Sequence, residues 1–98
     1  MRSAHADYSA IEEALDEHQL QTVRDYAVTQ GVAPAEWWKQ PVCCAVATAL
    51  AVHNIVRHWK EGGVGDRQAL TKAAAQLDLD VETLQRHRRL IRSRRSEP

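Results

Sequence analysis

Between residues 40 and 56 the chain carries no Asp, Glu, Lys or Arg for seventeen residues, and the stretch VCCAVATALAV within it has Thr48 as its single polar residue. Coiled into a helix, that stretch is apolar on every face for about three turns and must be covered on most sides. It is rich in alanine, contains Gln40, His53 and Asn54, and falls short of the roughly 20 apolar residues a membrane span needs. No membrane partner is expected. Cys43, Cys44, Ala45, Ala47, Ala49 and Ala51 are small enough for close helix approach, so the segment suits either the centre of a domain or the seam of a symmetric dimer.

The remaining chain has to supply that cover. At 98 residues it is expected to form one domain. Hydrophobic residues at 44% and charged residues at 27% suit a folded protein and not a disordered one. Phenylalanine is absent, glycine and proline are few, and alanine with leucine carries most of the apolar content, which favours helices over sheets. The expected fold class is all-α, a compact bundle of four or five helices. The two cysteines are neighbours, Cys43 and Cys44, which excludes a disulfide framework and points to a reducing compartment. No apolar run follows Arg2, so no secretory signal is expected and the location read from the chain is cytoplasmic.

Ser9 with Glu12 three residues on has the form of a capping box and is expected to open the first helix. An apolar stripe of Tyr8, Ile11, Leu15, Leu20, Val23 and Ala27 runs towards Gly31, a natural terminator, with a bend or interruption expected at residues 16–19. Pro34 suits the first turn of a short helix, AEWWKQ, and Pro41 closes that segment and opens the apolar helix over residues 42–59. EGGVG over residues 61–65 ends it. Asp66 is expected to cap a helix over residues 67–77, and Asp80 a last helix over residues 81–92, with 93–98 fraying into solvent. Residues 1–61 then form a scaffold with possible dimerisation surfaces, and 66–92 form two helices around a tight turn.

The zero net charge conceals a gradient. Residues 1–30 hold six acids against Arg2 and Arg24, whereas six of the ten residues from Arg86 to Arg95 are arginine with no acid among them. A polyanion is the natural partner of such a segment. The pattern LTKAAAQLDLDVETL over residues 70–84 resembles the helix-turn-helix of the Fis type, over less than a third of the chain. The resemblance implies that Ala73 and Ala74 sit at a close helix crossing, Leu77 and Leu79 plug the corner, and Leu84 anchors the second helix, leaving that helix free to enter a groove. It further implies Thr83, Gln85 and Arg86 as base contacts and Arg88, Arg89 and Arg92 as phosphate contacts, with double-stranded DNA as partner and a homodimer duplicating the half-site. The chain departs from the pattern at Asp78, where the family has glycine, and at Asp80 and Glu82, which set negative charge at the start of the recognition helix. Those carboxylates must cap the helix, face away or read cytosine.

A second reading makes the chain a helical adaptor or inhibitor of an acidic protein partner, using Trp37 or Trp38 and the arginine surface. One of two consecutive helical tryptophans is expected inside and the other at an edge. Trp59 is expected to close the core. Cys43, Cys44, His53 and His58 lack the spacing of common metal sites, so no metal or cofactor is expected. Without a glycine-rich phosphate loop, a nucleophile elbow or a paired metal motif, the chain does not read as an enzyme.

Overall fold

The apolar stripe towards Gly31 is interrupted near the expected residues 16–19, and the chain forms two helices there, α1 (Tyr8–Ala14) and α2 (Glu17–Thr29). The structure is a computed structural model and describes residues 8–86. A capping box does occur here, but not at Ser9, which lies inside α1. Asp16 caps α2 instead: its carboxylate accepts from the Gln19 N–H at 2.7 Å, and the Gln19 side chain accepts from the Asp16 N–H at 3.1 Å. The break leaves the Ala14 carbonyl available, and the half-buried Asn54 amide donates to it at 2.9 Å and to Gln19 Oε1 at 2.7 Å. The end of α1 and the start of α2 are thereby tied to a helix forty residues away.

α2 stops at Gly31, which takes φ +81°. The Val32 and Gly31 N–H groups return to the Ala27 and Val28 carbonyls at 2.9 and 3.0 Å, the paired bonds of a Schellman motif. The tryptophan segment is tighter than an α-helix. It is a 3-10 helix (Pro34–Lys39) with Glu36 at φ −117° in its middle, followed by the long helix α3 (Pro41–Glu61). Gln40 caps α3 through its side-chain oxygen, which accepts from the Val42 and Cys43 N–H groups at 2.8 and 3.0 Å. A second Schellman motif closes α3, with Gly63 at φ +96° and the Val64 N–H on the Trp59 carbonyl at 3.0 Å.

α3 is the central element and packs against α1, α2, the 3-10 helix and α4 (Asp66–Leu77). Its buried residues Cys43, Ala47, Ala51 and Ile55 form one i,i+4 row, and Thr48, Val52 and Val56 form the next. The small side chains in these rows let the neighbouring helices come close. The buried Thr48 hydroxyl is satisfied by the Cys44 carbonyl at 2.7 Å. Cover is not complete: Val42 and Val46, one turn apart, remain 45% and 39% exposed. No helix of the described residues is long and apolar enough to cross a membrane.

Asp66 does not cap α4. Gly65 is the N-cap, and Asp66 lies in the first turn, where it pairs with Lys60 at 3.4 Å and its charge suits the helix dipole. A fifth α-helix, α5, is described over residues 81–86. Among the described residues the fold is all-α, without a strand. One core cluster joins Ile11, Leu15, Val23, Ala27 and Trp37 to the α3 rows and to Leu70, Ala73, Leu77 and Leu84. The expected extension of α5 to residue 92 and the frayed tail at 93–98 lie outside the described residues.

Candidate nucleic-acid interface

The second half of the candidate interface depends on how α4 ends. Asp78 adopts φ +56° and ψ +44°, the left-handed conformation that glycine takes most freely. This lets the Leu79 N–H reach the Ala74 carbonyl at 3.0 Å and turns the chain sharply. Aspartate stands where the resembled motif has glycine, and it takes the glycine-like angles.

Two residues later Asp80 starts α5. Its carboxylate accepts from the Thr83 N–H at 2.7 Å. That bond, joined by one from the Thr83 hydroxyl and by the nearby Arg86 charge, holds the Asp80 carboxyl below its ordinary value. The turn between α4 and α5 is thus closed at both ends by aspartates, one through backbone conformation and one through its side chain.

Burial sets the orientation of the two helices. Ala73 and Leu77 of α4 and Leu84 of α5 are fully buried in the same core cluster, with Ala74 also buried and Leu79 packed partly against it. Successive helical residues turn by about 100°, so Glu82 and Arg86, one turn apart, share the edge of α5 roughly opposite Leu84, with Gln85 on one flank and Thr83 on the other. Glu82, Gln85 and Arg86 are exposed. Of the three residues expected at bases, Arg86 therefore lies on the outward edge and Gln85 is exposed on its flank. Thr83, on the other flank, is half-buried and engaged with Asp80. Glu82, which the sequence leaves to cap the helix, face away or read cytosine, is exposed one turn before Arg86. Arg88, Arg89 and Arg92 lie outside the described residues.

The tryptophans part company. Trp37 is fully buried and offers no surface to a partner, because its indole ring is enclosed by α1, α2 and α3 and its N–H is taken by Glu12 at 2.8 Å. Trp38 is half-buried and stacks on Tyr8, with ring centroids 5.1 Å apart and planes 11° from parallel. Any contact surface at this pair is left to Trp38. Trp59 packs partly into the core, with Lys72 Nζ 4.5 Å from its ring centroid.

The cysteines have the setting of structural thiols. Burial pushes Cys43 up from the ordinary thiol value, with the neighbouring Cys44 adding to the rise. Burial also pushes Cys44 up, partly offset by hydrogen bonds with Thr48 and Tyr8. The Cys43 thiol points to the Val23 carbonyl at 3.6 Å. Both are held as thiols at neutral pH, a poor state for a metal ligand or nucleophile. Among the described residues no three His, Cys, Asp or Glu side chains converge on a point that would hold a metal ion.

The class that fold and site define is an all-α bundle carrying a two-helix corner with a polar outward edge. No protein-family model, curated protein or solved structure matches the chain.

Proposed function

We propose that this is a small, non-enzymatic, cytoplasmic DNA-binding protein, a transcriptional regulator that reads duplex DNA through a carboxyl-terminal helix-turn-helix. The observation that carries the reading is the corner at Asp78: Leu77 and Leu84 are buried on its inner side while Gln85 and Arg86 face outward. In sequence Arg88, Arg89 and Arg92 follow them. Arginine supplies the charge for phosphates and the paired donors for guanine edges, and glutamine the donor and acceptor for adenine. One short helix binds weakly. A homodimer brings two to half-sites about one helical turn apart and multiplies the affinity. No cofactor is needed for docking of this kind.

The test is fluorescence anisotropy of the chain against a random duplex pool over a range of salt concentrations, with sedimentation fixing the oligomeric state. Replacing Arg86, Arg88 and Arg89 together by alanine is expected to keep the helicity, weaken binding and flatten its salt dependence. Retained affinity with an unchanged slope removes the proposal.

The exposed apolar side chains Tyr26, Val28, Val42 and Val46 favour a second reading, an adaptor or inhibitor that meets a protein partner with a helical face. In that case Trp38 and the arginines engage an acidic partner, and duplex DNA is not bound even at low salt.

A further inference from the structure

We infer that Glu82 sets the base preference of this interface by accepting a hydrogen bond from the exocyclic amino group of cytosine; the inference rests on the DNA-binding reading above. A carboxylate at the entry of a DNA-facing helix has three fates: it caps the helix, it turns away, or it meets a base. Asp80 takes the first, through its bond to the Thr83 N–H at 2.7 Å. Glu82 does neither of the first two. It is exposed, and it lies opposite the buried Leu84, one turn before Arg86 and beside the exposed Gln85.

An ionised carboxylate only accepts. Phosphate oxygens, guanine O6 and N7, and thymine O4 are acceptors too and repel it, leaving the amino groups of cytosine and adenine as donors in the major groove. Adenine sets its N7 acceptor beside that donor, which favours an amide such as Gln85; cytosine presents N4–H without a competing acceptor at the groove edge. The outward edge thus sets an acceptor at Glu82 one turn before a donor at Arg86, with the mixed group of Gln85 on its flank. Such an edge matches a mixed sequence containing cytosine and disfavours an unbroken run of guanines on the strand it reads.

The experiment is binding-site selection from a randomised duplex pool with the full chain and with E82Q, each checked by circular dichroism for retained helicity. The parent is expected to enrich cytosine at one position, with about tenfold weaker binding when that pair is changed. E82Q is expected to bring this preference within about twofold, and, with the repulsion from phosphates gone, to bind the unselected pool several-fold more tightly. E82A, which removes the acceptor without adding a donor, is expected to lose the same preference. If both variants gain affinity for every sequence while cytosine stays enriched as in the parent, Glu82 only repels; the inference then fails and the DNA-binding reading stands. If the parent shows no salt-sensitive binding to any duplex, both fail together.

Discussion

The Glu12 carboxylate accepts the indole N–H of Trp37 at 2.8 Å, and the same oxygen receives Arg24 at 3.3 Å. One acid thus joins α1, α2 and the 3-10 helix, and satisfies the single donor of the largest fully buried side chain. Removing the acceptor leaves an indole N–H buried without a partner. E12A is expected to cost about 1–3 kcal/mol, and E12Q, which keeps a carbonyl acceptor, distinctly less. Urea unfolding followed by tryptophan fluorescence measures both. In a double-mutant cycle, E12A made in the background of W37F should lose the part of its cost that belongs to the indole bond, and additive costs would deny the coupling.

The left-handed backbone at Asp78 makes a second expectation. A β-branched side chain meets its greatest steric cost there, so D78V is expected to destabilise the chain by about 1–2 kcal/mol. D78G relieves the local strain at the expense of a more flexible unfolded chain and should come out about 0.5 kcal/mol more stable than the parent. Thermal unfolding of the two variants ranks them, and a valine variant as stable as the parent would contradict the turn geometry.

The Asp80 cap predicts an acid-sensitive α5. Its folded carboxyl lies below the ordinary aspartate value because it accepts from Thr83. Its contribution is therefore complete above the unfolded value of about 3.9 and is lost as pH falls through the lower folded value. D80N, which caps without titrating, should remove this part of the acid transition, and D80A should lose the cap at every pH. Helicity measured by circular dichroism from neutral pH downwards, parent against variants, reports it.

At the alkaline end the sign reverses. Burial raises Cys43, Cys44 and Tyr8, so the neutral forms are the ones the fold favours. Their contribution is present below the unfolded thiol value of about 8.5 and declines as pH rises through the raised folded values. A C43A/C44S variant is expected to start less stable at neutral pH and to lose less on passing to alkaline pH. Melting temperature against pH for both chains tests this, and parallel curves would show that the thiols do not titrate with unfolding.

The chain's local patterns already specify much of this fold. The uncharged stretch around Val42–Val56 demands a covered helix, and Gly31 and Gly63 stop α2 and α3 through left-handed angles that glycine takes most freely. Asp80 is legible as a cap, and Gln85 and Arg86 as exposed residues beside the inward Leu84, because these depend on spacing within a few residues. What spacing cannot convey is which of several local options the rest of the molecule selects. Ser9–Glu12 has the form of a capping box, yet Glu12 belongs to Trp37 and Arg24, residues twelve or more positions away. The stripe through Leu15 leaves room for an interruption over residues 16–19 without fixing its place. The break is decided by the Ala14 carbonyl finding Asn54, forty residues on, and by Asp16 and Gln19 capping each other. Trp37 and Trp38 are the same residue type at adjacent positions. Only the packing of three helices around one indole sends Trp37 inside and leaves Trp38 at the edge, because burial is a property of the neighbours brought together and not of the residue itself.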